Sequence, residues 1–229
     1  IMLAGAGEAP ITPCNVGLFC AGGILSRQNK EPEKALKPFD TTGDGIVLGE
    51  GGAILVLEVL QRALKRGAKI YGEILGYASR NESYDLFEID PSGDTASMTM
   101  KRALENAHLR PQDIDYINAH GNGLPQYDSN EAFAIRKVFG ESAHQIPVSS
   151  IKPITGQSFS VTGILQMLTC LLAIDKGIIP PTMNLEKPIK DFDLDIVLNR
   201  FRKSKVNTAL MNAHGFAGSH TVIIAGKFE

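Results

Sequence analysis

Three short segments of this 229-residue chain set polar side chains beside glycine. They are Asn118-Ala119-His120-Gly121-Asn122-Gly123, Ser149-Ser150-Ile151-Lys152-Pro153-Ile154-Thr155-Gly156-Gln157 and Asn212-Ala213-His214-Gly215-Phe216-Ala217-Gly218. Glycine removes the Cβ obstacle, so backbone at these turns can approach a ligand closely. The imidazoles of His120 and His214, the ammonium of Lys152 and the amides of Asn122 and Gln157 offer hydrogen-bonding groups suited to a carbonyl or an oxyanion. Brought together, they would form a reaction site assembled from distant parts of the chain. Plainer alternatives are a hydrogen-bonded strand-end histidine for His120 and a filler role for His214.

The elements that must carry these segments alternate between strand and helix. Each segment follows an apolar stretch that reads as a buried strand: 114–119, 146–149 and 205–213. Further strands are expected at 1–6, 53–60, 69–77 and 221–226, the last pairing with 205–213 through the glycine-rich turn. Helices are expected at 61–66, ending at Gly67, at 95–108 and at 128–139, ending at Gly140. Residues 79–93 read as a surface loop, Pro111-Gln112-Asp113 and Pro180-Pro181-Thr182 as turns, and 185–194 as a charged loop. The alternation predicts an α/β protein layered around a sheet. The opening residues read as an interior strand, which suggests that the chain is the downstream part of a longer protein.

Composition narrows the function classes. Hydrophobic content is that of an ordinary globular protein and the formal net charge is −2, which argues against a nucleic-acid partner. Arg62, Lys65 and Arg66 make a basic patch that could dock an acidic carrier protein, or simply a solvated helix face. Three scattered cysteines, Cys14, Cys20 and Cys170, have no metal-binding spacing and point to reduced thiols and a cytoplasmic home. No metal site is expected. The apolar stretch 159–174 is interrupted by Ser160, Thr162, Gly163, Gln166 and Thr169, so it reads as a buried core helix rather than a membrane span.

In order along the chain, Met2-Leu3-Ala4-Gly5-Ala6-Gly7-Glu8-Ala9, Pro38-Phe39-Asp40 with Gly43-Asp44-Gly45 and Gly49-Glu50-Gly51-Gly52, Arg66-Gly67-Ala68-Lys69-Ile70-Tyr71, Tyr116-Ile117-Asn118-Ala119-His120-Gly121 and Ile179-Pro180-Pro181-Thr182-Met183-Asn184-Leu185 resemble motifs of the β-ketoacyl synthases. These are the condensing enzymes of fatty-acid and polyketide assembly. The resemblance runs from end to end of the chain. It implies a thiolase-like fold, five layers α-β-α-β-α and usually dimeric, of which this chain supplies mainly the C-terminal half. Residues 1–60 would be the end of the N-terminal half and the crossover, and 61–229 the C-terminal half. It implies no bound cofactor. Substrates would arrive on the phosphopantetheine of an acyl carrier protein, and a ketosynthase would be the hetero- or homodimer partner, with neither nucleic acid nor membrane involved.

The resemblance also assigns roles. His120 matches the first catalytic histidine, Lys152 the family lysine, and Phe216 the gating phenylalanine whose backbone N–H contributes to the oxyanion hole. The nucleophilic cysteine would lie upstream of Ile1. Cys20 falls at a packing position of a helix, and Cys170 reads as core. Several positions depart from the pattern. Gln157 replaces the second histidine, and Gln166 replaces a glutamate that pairs the lysine. Asn122 and Leu124 replace threonines that hold the pantetheine arm. His214 stands for a phenylalanine, His220 for an asparagine and Gly43 for an arginine, while Asp85 lies near a frequent loop histidine. Glutamine keeps an N–H donor but has no proton to exchange near neutral pH. The expectation is a degenerate partner resembling a chain length factor, which shapes the acyl pocket of an active synthase and is not catalytically self-sufficient. The alternatives are an active β-ketoacyl synthase using His120, Gln157 and Lys152 for decarboxylative Claisen condensation, and a malonyl decarboxylase or non-catalytic scaffold.

Overall fold

The computed structural model describes residues 1–86, 88–189 and 193–228. Its strands are β1 (Met2–Glu8), β2 (Gly51–Leu57), β3 (Glu73–Asn81), β4 (Tyr116–Asn118), β5 (Pro147–Ser149), β6 (Ile178–Ile179), β7 (Asp195–Ile196), β8 (Arg202–Lys203), β9 (Thr208–Gly215) and β10 (Ser219–Gly226). Its α-helices are α1 (Pro13–Ala21), α2 (Leu60–Lys65), α3 (Asp94–Ala107), α4 (Pro125–Phe139), α5 (Lys152–Thr155) and α6 (Thr162–Lys176). Six strands form one mixed sheet in the order β3-β10-β9-β4-β5-β7. β3, β10 and β9 run antiparallel, whereas β9, β4, β5 and β7 are parallel neighbours.

The period-2 pattern of β9 and β10 feeds two cores. Leu210, Val222 and Ile224 face α3 and α4, where they pack with Met100, Leu104, Ile117 and Ile135. Ala209, Met211 and Ala225 face α6, with Tyr116, Met167, Cys170 and Ile174. On its other side α6 packs against the separate β1–β2 pair. The layers therefore run helix, sheet, helix, two-stranded sheet, which is the expected α/β layering with the fourth layer represented by two strands.

Most expected elements form, with shifts that have local causes. The third strand begins at Glu73 rather than Lys69 and continues to Asn81 into the expected loop, because β10 supplies hydrogen-bonding partners as far as Asn81. α4 starts at Pro125, three residues early, since proline suits the first helical turn. The turn at 111–113 is a 3-10 helix closed by an Arg110–Asp113 capping box. Of the charged loop 185–194, residues 190–192 lie outside the described residues.

Two expectations are corrected. Phe159–Lys176, a 3-10 turn plus α6, is long and apolar enough by composition to cross a membrane; one side of α6 (Thr162, Gln166, Met167, Cys170, Ala173 and Ile174) is buried in the protein. Cys20, expected as packing, is exposed: α1, which Thr12 caps and Pro13 opens, buries none of its residues. Cys170 is buried as expected, and burial pushes its thiol well up.

Candidate active site

Because β9, β4 and β5 are parallel neighbours, their C-terminal ends open on one edge of the sheet. That edge is where open α/β sheets bind ligands. The three glycine-rich segments follow these three ends, so topology alone brings them together. Five of the seven expected site residues, His120, Asn122, Gln157, His214 and Phe216, line one cleft of about 190 Å³ with Tyr127, Phe159, Thr162 and Gly163. Lys152 and Gln166 do not line it; both are fully buried behind it.

Two glycines make the approach possible. Gly121 has φ +30°, and a Cβ there would meet the Phe39 ring and Ser150 Cβ at 2.8 Å. Gly156 has φ +73°, and a Cβ there would meet Gly49 backbone at 2.7 Å. Gly156 thereby lets the Gln157 strand bridge to Leu48, with Gln157 N–H donating to the Val47 carbonyl at 2.8 Å.

The turn after β4 is held from beneath by two acids on α4 that sequence reasoning did not single out. Glu131 accepts the N–H groups of His120 (2.7 Å) and Gly121 (2.8 Å) and the Asn212 side-chain amide (2.6 Å). Asp128 accepts the N–H groups of Phe39 (2.8 Å), Asn122 (2.9 Å) and Gly123 (3.2 Å). The signal was available: Asp128 and Glu131 are three residues apart, hence on one helix face, directly after a glycine turn whose N–H groups need acceptors. Burial raises both carboxyls, Asp128 to about 7, against the N–H donors and Lys152 that favour ionisation. Burial lowers Lys152 to about 8, opposed by Glu131 and Asp128.

His120 is held in one protonation state. Its Nδ1 accepts the His214 N–H at 3.1 Å and lies 3.4 Å from the Lys152 ammonium, which also donates to the His120 carbonyl. Burial, then Lys152, His214 and His220, pull its pKa well below the usual imidazole range. A neutral ring with an accepting Nδ1 carries its proton on Nε2. The Asn122 side-chain nitrogen sits 3.1 Å from that Nε2, while Asn122 Oδ1 accepts the Leu124 N–H at 2.9 Å. Two donors therefore converge at the cleft, and turning the amide would only set another donor against the Leu124 N–H. The arrangement calls for an acceptor oxygen from outside the protein.

The opposite bank carries amides. Gln157 has a buried Oε1 with no hydrogen-bond partner among the described residues. Gln166 does not pair Lys152. Its Nε2 donates to Asn118 Oδ1 (3.0 Å) and to the carbonyls of Ala119 (2.8 Å) and Asn212 (3.0 Å), stitching α6 to β4 and β9. Phe216 is 39% exposed at the mouth, edge-on to Tyr127 with ring centroids 6.0 Å apart. The following Ala217 has φ +58°, and its N–H donates to the Leu86 carbonyl at 3.0 Å. Leu124 immediately precedes α4, Asp85 accepts the Glu88 N–H on the surface, and Gly43 packs against the carbonyls of Lys37 and Gly123.

Comparison with known proteins matches residues 71–186 to the C-terminal domain of beta-ketoacyl synthases and residues 1–63 to their N-terminal domain. The 3-oxoacyl-[acyl-carrier-protein] synthase 2 of Coxiella burnetii is 42% identical over all 229 residues, which cover 55% of that protein. The tetracenomycin polyketide synthase ketoacyl synthase alpha subunit of Streptomyces glaucescens is 40% identical over 99% of this chain and 53% of its own length. The chain thus spans about half the length of these curated relatives. Among solved structures, a type II polyketide ketosynthase in complex with its acyl carrier protein superimposes with TM-score 0.96 at 39% identity, over 99% of this chain and 56% of the other. The ishigamide ketosynthase/chain length factor does so with TM-score 0.90 at 34% identity, over 99% and 54%.

Proposed function

We propose that this chain, which belongs to the beta-ketoacyl synthase family, is part of a type II fatty-acid or polyketide assembly subunit that works as a chain-length-factor-like partner of an active synthase, shaping the pocket in which the acyl chain grows. Residues 1–60 would close the N-terminal half and 61–229 form the C-terminal half. The cleft supports this function chiefly through the contrast between its banks. His120 and Asn122 converge as donors with no acceptor between them, which suits the carbonyl of a thioester. Opposite stands Gln157, which cannot exchange a proton near neutral pH. A site that polarises a carbonyl but carries an amide at position 157, where no proton can be exchanged, holds and orients an acyl chain better than it drives condensation. Phe216 would gate the entry, Lys152 would supply a buried charge from behind, and the acyl group would arrive on the phosphopantetheine of an acyl carrier protein in the cytoplasm.

An active synthase is the alternative, and two observations favour it: His120 is neutral with its Nε2–H toward the cleft, and the curated relatives named above are themselves synthases. Assay of the purified protein with malonyl- and acyl-carrier protein separates the two. The partner function predicts no condensation alone, co-elution with an active ketosynthase, and no gain in malonyl decarboxylation from Gln157→His. Condensation by the protein alone, with an acyl adduct on one cysteine by intact mass, overturns it in favour of the synthase.

A further inference from the structure

One ring of the cleft, Phe159, has no part in the chemistry described above. It opens the 3-10 turn Phe159–Val161 between α5 and α6, and it lines the cleft. Its ring stacks on Phe19 of α1, with centroids 4.9 Å apart and planes 23° off parallel. On the cleft side it tilts toward Phe216, with centroids 6.4 Å apart. Phe19 does not line the cleft; it backs the Phe159 ring from outside.

The backbone of Phe159 is held where an L side chain rarely goes, at φ +39°. Such a conformation persists only where the surroundings over-determine it. Here they do. Ser158 and Val161 are fully buried, and the Val161 N–H donates to the Ser158 carbonyl at 3.0 Å. Ser160 is exposed, and its hydroxyl donates to Glu8 Oε2 on β1 at 2.5 Å. The chain is thus pinned on both sides of Phe159, and Phe19 fixes the ring. Phe159 is a braced wall, whereas Phe216 stands exposed at the mouth.

An acyl group whose carbonyl oxygen meets the His120 and Asn122 donors must lay its tail along apolar lining. The cleft offers three aromatic side chains for this besides its histidines. Two of them, Tyr127 and Phe216, meet edge-on at the mouth, where a pantetheine arm would enter. Phe159 is the third. The cleft holds about 190 Å³, well short of the roughly 300–1,000 Å³ of pockets that enclose drug-sized ligands. We infer that Phe159, braced by Phe19, is the end wall that limits this site to short acyl groups. Phe159 touches the ligand and sets the length, and Phe19 is a positioning residue acting through it. This limit rests on the carrier-bound acyl ligand of the function proposed above.

Calorimetric titration with butyryl- and octanoyl-pantetheine tests the wall. Each methylene that finds a buried apolar seat tightens binding about fourfold. Wild type should bind octanoyl-pantetheine no more than about twofold tighter than butyryl-pantetheine, because the outer methylenes gain no seat. Phe159→Ala should favour octanoyl over butyryl by at least about tenfold. Phe19→Ala leaves the cleft lining intact. It should keep butyryl affinity within about twofold and raise the octanoyl preference about threefold, whereas a merely structural role would move both probes alike. A wild-type protein that already prefers octanoyl by about tenfold overturns the wall by itself, even if Phe159→Ala fails to fold. An unchanged ratio in Phe159→Ala overturns it as well, and an unchanged ratio in Phe19→Ala overturns the brace. Binding of neither probe by wild type sinks the carrier-bound acyl function and the wall with it. Binding of butyryl-pantetheine with any of the other adverse results sinks the wall or its brace alone.

Discussion

The two banks of the cleft reach the same goal with different chemistry. On the β4–β9 bank, His120 and its turn rest on Glu131 and Asp128, and Lys152 sits close behind; charge is buried there, and each carboxylate accepts three donors. On the opposite bank, between α5 and α6, Gln157 is neutral, and behind it the buried Gln166 is a neutral hub donating to β4 and β9. Shape can be kept while ionisation is given up. An amide donates to nearby carbonyls, less strongly than a charged group, and carries no desolvation penalty of a buried ion. What it cannot do is move a proton.

The largest test of this difference is to put charge back on the neutral bank. Gln166→Glu should destabilise the protein by roughly 3–5 kcal/mol in chemical denaturation, because a carboxylate would face the oxygens of Asn118, Ala119 and Asn212 with no proton to donate. The sign with pH is definite. Burial among acceptors raises the folded pKa of the new carboxyl, so the loss grows as pH rises above about 4.3, the unfolded value, and is relieved in acid, where the protonated group can donate. A stability equal to wild type at pH 7 would mean that Gln166 is not the hub described.

The charged bank can be probed through Asp128. Its folded pKa of about 7 lies above the ordinary carboxylate value. The folded state then holds a proton that the unfolded state has released, so stability falls as pH rises from about 4 to 7, by on the order of 3 kcal/mol. Asp128→Asn should flatten that slope, and a slope unchanged by the substitution would place the titration elsewhere. A smaller contrast concerns ligand binding. His120→Ala should weaken acetoacetyl-pantetheine about tenfold, the value of one well-placed donor, while Gln157→Ala should change it less than about threefold. Equal losses would mean that the banks share the carbonyl.

The sequence made the frame legible because glycine turns, strand periodicity and helix stops are local signals. The three loops could be read residue by residue, and five of the seven expected site residues do line one cleft. The supporting acids were harder to see. Asp128 and Glu131 look like surface charges on a polar helix until the sheet places orphan N–H groups above them. Gln166 could be assigned to the lysine only by analogy with a glutamate; as an amide it finds better partners in the carbonyls of β4 and β9. The Glu82–His220 pair joins residues 138 apart in sequence through the β3–β10 register, which no local pattern discloses. Cys20 failed in the opposite sense: its helix has the composition of a packed element but buries no residue in the described chain.

The smallest predicted effect lies at the lip of the charged bank. Leu124 is the residue before α4, in extended geometry (φ −88°, ψ 114°), and its side chain caps nothing. Threonine at such a position can accept an N–H from the first turn, which leucine cannot. Leu124→Thr should therefore stabilise the protein by roughly 0.5–1 kcal/mol, read as a higher denaturation midpoint. The same hydroxyl would stand beside Asn122 at the cleft, where the family resemblance expects one for the pantetheine arm, and should tighten acetoacetyl-pantetheine by about twofold to tenfold. Greater stability without tighter binding would assign position 124 to the helix alone. Both gains together would show that the charged bank has kept its geometry for the arm even where it has lost the hydroxyl that holds it.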